Sequence, residues 1–461
     1  MQTPDTIAAI ATPLGTAGLG VIRISGPAAP EIGRRLFRPG SHPCGWQSHH
    51  AYHGDIMTAD GTTLLDEVLI TLMRGPHSFT GEDVLEISCH GNPFILRTIL
   101  EQLTALGCRL ARPGEFSERA FLNGRIDLTQ AEALAAVISA QSAKAHQIGL
   151  AQLKGSLGAK IGDLREGLVH ALAVLDAAID FSEDMSEHEA PPAPVQIHEA
   201  QAGIQSLLST YREARFITRG INVVITGKPN VGKSSLLNTL AGRKKAIVTD
   251  IPGTTRDLIT DVITLDGLSV HLTDTAGIRA PQDAIEKEGI DLVWECLEKA
   301  DVVVLLLDGS KPLTDEDDHL FAQMKERADK VMIAVNKSDL PRAWTPGELA
   351  HRIPAHAACL DISAKFGTGL DALKKSLGEA FPLCSGAAEG GYMITELRHK
   401  QSLEKAQARL AAAADLLAAG HSPEIAAFEL RCALDALDEV TGRKIQNDIL
   451  DKIFSSFCIG K

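Results

Sequence analysis

Over residues 1–124, short β-type apolar runs alternate with Gly/Pro breakers. LGVIRISGP (19–27), DEVLITLMRGP (66–76) and DVLEISCHGNP (83–93) each close on such a breaker. The stretch that follows, FILRTILEQLTALG, repeats its apolar positions at three and four and predicts a helix ending at Gly107. This reads as an α+β module. From Leu128 to about Phe181 the texture becomes Ala/Leu-rich with Gln, Glu and Lys between, the signature of long amphipathic helices. After a Pro-broken acidic loop, SEDMSEHEAPPAPV, a second helical run continues to about Phe216. The same texture returns only after residue 390, in ITELRHKQSLEKAQARLAAAADLLAAG and SPEIAAFELRCALDALDEVTG, the latter with Ser422 as N-cap and Pro423 at the first helical position. The simplest account is one helical domain, 125–218 and 385–461, interrupted by an insertion at 219–384.

The insertion has the opposite pattern. INVVITG, SVHLTDTAG, DVVVLLLDGS and KVMIAVNKSD are near-continuous apolar strands between helical segments, as expected of a mostly parallel sheet covered on both faces. The predicted fold class is therefore multidomain α/β and α: an N-terminal α+β domain, then a helical bundle domain interrupted by an inserted doubly wound α/β domain. A length of 461 residues agrees with roughly three domains. No apolar run approaches the roughly 20 residues needed to span a bilayer, and MQTPDTIAAIATPLG lacks a basic, then apolar leader; the expectation is a soluble, cytoplasmic protein without membrane contact. Eight scattered cysteines with no C-x-x-C pair argue for reduced thiols and against a structural zinc. The net charge of -14 disfavours a general grip on phosphate backbones, so any nucleic-acid contact is local or shared with a partner.

The strongest chemical signal is GKPNVGKS, Gly227 to Ser234, which fits G-x-x-x-x-G-K-[ST], follows a β run and precedes a helical SLLNTLAG. In that context the glycines let backbone N–H groups face phosphate at a helix N-terminus, Lys233 supplies charge to the β- and γ-oxygens, and the Ser234 hydroxyl can ligate Mg2+. DTAG (Asp274, Thr275, Ala276, Gly277) ends a strand, placing Asp274 for the magnesium shell and the Gly277 N–H for the γ-phosphate. PGTTRD offers Thr255 as a switch threonine that joins the magnesium shell. NKSD (336–339) resembles the guanine-reading box of GTPases, with Asp339 accepting from guanine while Asn336 and Lys337 brace the pocket. Ser363, Ala364 and Lys365 match the last, weaker box. Five elements in this order indicate a GTPase related to translation factors.

One position departs from many GTPases: Ile278 stands where a water-orienting glutamine follows DTAG. Another polar group must serve, and the switch segment IRAPQDAIEKEG offers Glu286 and Glu288. Asn230, beside Val231 in the loop, carries a carbonyl oxygen that could help coordinate a monovalent cation, which could supply the charge that an arginine finger gives elsewhere.

Across essentially its full length the chain resembles the MnmE (TrmE) family of tRNA modification GTPases. The resemblance is carried by ATP.G..GLGVIRISGP, HSFTGEDVLEISCHG, RPGEFSERAFLNGRIDLTQAEA, the G domain inserted in helices, and a terminal FSSFCIGK. It implies a potassium-activated GTPase that works with the flavoprotein MnmG (GidA), which holds FAD. Together they would place an aminomethyl or carboxymethylaminomethyl group on C5 of the wobble uridine of certain tRNAs, using a tetrahydrofolate derivative in its 5,10-methylene or 5-formyl form. The nucleotide site so implied comprises Asn230, Val231, Gly232, Lys233, Ser234 and Ser235, then Thr249, Asp250, Ile251, Pro252, Gly253, Thr254 and Thr255, then the DTAG, NKSD and SAK residues. Within it Asn230, Thr249, Ile251 and Thr254 would bind K+, Ser234 and Thr255 would bind Mg2+, and Glu286 would be catalytic by orienting the attacking water. The G domains would pair across the nucleotide face, and the N-terminal modules, here folate-binding, would form a constitutive homodimer.

The resemblance also implies a folate pocket of Arg23, Glu86, Arg125 and Lys461. Arg125 stands where the family residue is usually lysine, and the two are not interchangeable where geometry counts. The set suits a pterin with donor edges and an anionic glutamate tail. The tail FCIGK fails as a prenylation box because Gly460 and Lys461 are the wrong residues, and the apolar spacing of ILDKIFSSF predicts a docked strip beside which Cys458 is either a reactive thiol or packing. Alternatives are a ribosome-assembly GTPase, disfavoured by the acidic balance and the lack of a basic RNA-binding appendage, and a stand-alone folate-dependent aminomethyl transferase with a regulatory G domain.

Overall fold

A computed structural model of the chain describes residues 5–40, 45–180, 193–241, 260–265, 267–274, 297–298, 300–325, 331–353, 357–381 and 392–460. It divides into two compact units: Met1–Ile138, Leu150–Leu208 and Leu397–Lys461 form one, Ser139–Gly149 and Ser209–Glu396 the other.

The first unit holds a seven-stranded sheet in the order β3-β4-β5-β6-β2-β1-β7. Its strands are β1 (Ile7–Ile10), β2 (Ala17–Ser25), β3 (Phe37–Pro39), β4 (His50–Met57), β5 (Leu64–Met73), β6 (Val84–Gly91) and β7 (Arg109–Leu110), and only the β1–β7 pair is parallel. One face packs Ile22, Ile24, Ile70, Leu85 and Ile87 against the helices Ala29–Leu36 and Pro93–Ala105, through Ile32, Leu36, Leu96, Ile99 and Leu103. The second helix is bounded as its sequence dictates. Asn92 caps the Phe94 N–H at 2.8 Å, Pro93 takes the first turn, and the chain leaves through Gly107 at φ 97°. Alternation puts Arg23 and Glu86 on the opposite face as direct cross-strand neighbours. The apolar runs named from the sequence are β2, β5 and β6; β4 escaped because its residues, HAYHGDIM, are half polar and its place is fixed by backbone pairing with β5.

In the same unit the helix Ser156–Asp180 buries Leu157, Ile161, Leu164, Leu168, Ala171 and Leu175, an unbroken four-three spacing. It packs against Pro423–Thr441, which in turn packs against Leu397–Ala418; the buried Ala406, Ala413, Ala426 and Ala433 allow those last two helices close approach. Ser422 does precede that last helix, with Pro423 at its first turn, but it does not cap it. Its hydroxyl is turned to the Glu424 carboxylate, to which it donates, and its oxygen accepts from no N–H of the first turn. Between helices Leu128–Ser139 and Leu397–Ala418, the Glu132 carboxylate accepts from Arg398 at 2.9 and 3.0 Å and pairs with His399 Nε2 at 2.7 Å. Arg398 also donates to the Val440 carbonyl at 3.0 Å, tying in the third helix. Burial pushes the Glu132 carboxyl up, but His399 and then Arg398 outweigh it, and it lies at about 2.

The second unit holds six strands, β13-β12-β11-β8-β10-β9: β8 (Ile221–Thr226), β9 (Thr260–Leu265), β10 (Leu268–Asp274), β11 (Val302–Asp308), β12 (Val331–Asn336) and β13 (Ala358–Asp361). All pairs are parallel except the β9–β10 edge. Both faces are covered, with Val302, Val304 and Leu306 in one apolar cluster and Val303, Leu305 and Leu307 in another. Residues 139–149 and 209–219 share the periodicity of the helical region, yet they belong to this unit because Ala145, Ile148, Ala214 and Ile217 complete the core beside Ile221, Leu268 and Val270. Among the described residues no helix is long and apolar enough to cross a membrane.

Candidate functional site

The described motifs, GKPNVGKS, NKSD and SAK, meet at the carboxyl ends of the parallel strands. From β8 the chain passes to β10 on one side and later returns to β11 on the other, so the crevice beyond β8 is a topological switch point, where open α/β sheets bind ligands. The loop Gly227–Lys233 leaves β8 there and enters the helix Lys233–Leu240. Two of its glycines are obligatory. Gly227 has φ 148° and a Cβ on it would lie 2.3 Å from the Leu306 carbonyl oxygen; Gly232 has φ 104° and its Cβ would lie 2.3 Å from Asn336 Nδ2. Asn230 adopts φ 62°, a left-handed conformation that asparagine tolerates better than most residues, and is exposed. Val231 is buried in the core beneath.

Lys233 folds back over the loop, and its ammonium donates to the carbonyls of Gly227 at 2.9 Å and Lys228 at 2.8 Å. Ser234 and Ser235 follow it, exposed, in the first turn of the helix. Helix N–H groups, a lysine and a serine hydroxyl around glycine-shaped backbone form a donor set that fits a polyphosphate with its Mg2+.

Asn336, at the end of β12, joins two of the loops. Its Nδ2 donates to the Val231 carbonyl at 2.7 Å and its Oδ1 accepts from the Ala364 N–H at 2.9 Å, with both amide ends satisfied at 3% exposure. Thr239 adds a second tie to Ala364, donating to its carbonyl at 2.8 Å. Lys337, at φ 64°, donates to Asp308 at 2.6 Å. Burial pushes the Asp308 carboxyl up, but Lys337 and two Ser310 donors outweigh it and hold the carboxyl below the usual range. Asp339 is exposed and accepts from the buried Ser363 hydroxyl at 2.6 Å, which aims its carboxylate. Lys365 is exposed, its ammonium 5.0 Å from the Phe366 ring. Asp274 ends β10 opposite Ile225 of β8. Thr249, Asp250, Ile251, Pro252, Gly253, Thr254, Thr255, Thr275, Ala276, Gly277 and Glu286 lie outside the described residues, as does the side chain of Asp274.

A second cluster occupies the polar face of the first sheet. Arg23 Nε donates to Glu86 at 2.8 Å, and Arg23 Nη1 donates to the Gly460 carbonyl at 3.2 Å. The guanidinium lies 5.7 Å from the Phe79 ring and 5.8 Å from the Phe116 ring. Arg125 Nε donates to the Ser78 carbonyl at 3.0 Å, beside Phe79. The C-terminal strip is docked here. The helix Asn447–Ser455 buries Leu450 and Phe454, the Gly114 N–H donates to the Cys458 carbonyl at 3.4 Å, and Gly460, at φ 91°, sits so close that a Cβ would lie 2.6 Å from the Ile10 carbonyl. Cys458 is exposed, and Lys461 lies outside the described residues. A guanidinium, a carboxylate and two rings form a set that fits a bicyclic ligand with donor edges and an acidic tail.

Residues 6–125 match the family of the GTP-binding protein TrmE N-terminus, and residues 128–458 match the MnmE helical domain. The chain belongs to the MnmE (TrmE) family. Two curated relatives, both named tRNA modification GTPase MnmE, extend the match end to end. The one from Syntrophus aciditrophicus is 45% identical over 99% of this chain and 99% of its own length, and the one from Geobacter metallireducens is 44% identical over 100% of each. Against that family frame, sequence reasoning missed several residues that shape the two clusters. Phe79 and Phe116 around Arg23 gave no local signal, being apolar residues far apart in the chain. Asp308 and Asp317, which hold Lys337 and Lys228, were hidden too, although TDED at 314–317 has the spacing of a reciprocal helix cap.

Proposed function

We propose that the chain hydrolyses GTP and that hydrolysis serves the modification of tRNA at C5 of the wobble uridine. The observation that carries this reading is the Asn336 bridge: one side chain ties the phosphate loop to the SAK loop and so fixes phosphate and base recognition in one frame. The names of the relatives support the tRNA role. Lys233 would neutralise charge on the β- and γ-phosphoryl oxygens as water attacks the γ-phosphorus and its bond to the bridging oxygen breaks, giving GDP and phosphate. Glu286 would orient that water. Mg2+ held by Ser234 and Thr255, and K+ held by Asn230, Thr249, Ile251 and Thr254, would supply positive charge there. The chain would act as a homodimer with the flavoprotein MnmG, whose FAD handles the redox step, while Arg23, Glu86, Arg125 and Lys461 hold the tetrahydrofolate one-carbon donor.

Two measurements test this together. GTP turnover by the purified chain should be much faster in potassium than in sodium, and wobble uridines from a strain lacking the protein should lose their C5 substituent. Equal rates would remove the potassium role, and unaltered nucleosides would overturn the tRNA reading. The folate reading has its own test. Arg23→Ala should weaken binding of a reduced folate by about tenfold or more, since it removes a charge-assisted hydrogen bond and a stacked cation, and leave GTP turnover intact. Unchanged folate affinity, read by titration of intrinsic fluorescence, would count against the pocket.

A further inference from the structure

The phosphate loop contains a second lysine, Lys228, that the motif does not require. Its ammonium turns toward the segment after β11, donating to Asp317 Oδ2 at 2.5 Å and to Thr314 Oγ1 at 2.7 Å. The Asp317 side chain is only 5% exposed. The same carboxylate oxygen accepts from the Thr314 N–H at 2.8 Å, while the Asp317 N–H donates to the Thr314 carbonyl at 2.9 Å. Thr314 precedes the helix Asp315–Lys325 and Asp317 is its third residue, so the carboxylate caps the Thr314 N–H from the first turn, as in one half of a capping box, and is fixed at the positive end of a helix. The anchor is therefore built by the helix start alone, and Lys228 is what it holds.

What Lys228 carries is main chain. The carbonyls of Gly227 and Lys228 are the acceptors of the Lys233 ammonium. Gly227 abuts the Leu306 carbonyl on one side, and the Lys228 side chain pins the segment on the other. We propose that the Lys228–Asp317 ion pair is a positioning clamp for the phosphate loop: it fixes the main chain of residues 227 and 228 and so sets the direction in which Lys233 presents its ammonium. Lys228 acts through Lys233 and does not touch the nucleotide. The inference rests on the guanine-nucleotide reading of this loop and adds to it a residue pair that the motif does not specify.

The test uses the full chain and four variants: Lys228→Met, Asp317→Asn, their combination, and Lys228→Arg. Asparagine keeps an acceptor for the Thr314 N–H, so the helix cap survives while the ion pair is lost. Each single neutral variant should lower kcat/KM for GTP by about ten- to a hundredfold, mostly in kcat, because small misplacements of a catalytic group cost rate more than ground-state binding. The thermal midpoint should stay within about 2 °C, the double variant should be no worse than either single one, and Lys228→Arg should recover most of the loss. Unchanged kcat/KM in both single variants, additive losses, or losses that follow the thermal midpoint and resist Lys228→Arg would each overturn the clamp. The unaltered chain separates the two readings: if it neither binds fluorescent GDP nor turns over GTP, the nucleotide reading falls and the clamp with it.

Discussion

An Asp339→Asn protein is expected to lose guanosine nucleotides and gain xanthosine nucleotides. The carboxylate is exposed three residues beyond β12 and held by the Ser363 hydroxyl at 2.6 Å, so in the proposed site it would present acceptors to the N1–H and N2–H groups of guanine. Asparagine turns one acceptor into a donor, which faces the guanine amino group but matches the 2-oxo group of xanthine. Hydrogen bonds to a charged group are worth about 1.5–3 kcal/mol each, so the loss in GTP affinity should be about a hundredfold or more. Parallel titrations with fluorescent GDP and XDP read both changes. Retained GDP affinity would remove Asp339 from base recognition. Because the side chain is exposed, folding should be unaffected.

The second large effect concerns stability. Glu132→Ala leaves the Arg398 guanidinium and the buried His399 without their carboxylate, and breaking a buried pair from one side costs about 3–5 kcal/mol. Replacing Glu132 and Arg398 together by apolar residues of similar volume should cost much less, since neither charge is then stranded. The pH dependence follows from the depressed carboxyl. Its value falls from 4.5 to about 2 on folding, so its contribution is complete above pH 4.5 and is lost as the pH drops toward 2. At 1.36 kcal/mol per unit this is about 3 kcal/mol. Glu132→Gln should flatten the urea midpoint between pH 4.5 and 2 where the unaltered chain declines. A parallel decline in both would contradict the assignment.

What was legible in the sequence is what contiguous backbone decides. A phosphate loop and an NKSD box carry their chemistry within a few residues, so the sequence placed each directly after a strand, where β8 and β12 now stand. The bundle was legible for a similar reason, because Leu157 to Leu175 declare one face of a helix by spacing. Pairings between distant residues were not: Arg398 meets Glu132 across 266 positions and Lys228 meets Asp317 across 89. Nothing local distinguishes such charges from a solvated surface. The grouping of residues 139–149 with the inserted sheet was hidden as well, since an amphipathic helix does not announce which core receives its apolar face.

The docked C-terminal strip also imposes an order in time. Arg23 waits for a carbonyl 437 residues further along. At roughly 5–20 residues per second of synthesis, the N-terminal module spends about 20–90 s with that hydrogen-bond acceptor missing. The Gly114 N–H awaits Cys458 over a similar interval. A ribosome that stops early thus releases a chain whose inserted sheet has every strand it needs while the polar face of the first sheet is left open. The same contact sets a rule for handling the protein: bulk fused after Lys461 would be carried directly to the Arg23 face, whereas a tag placed before residue 5 would not enter it through this strip.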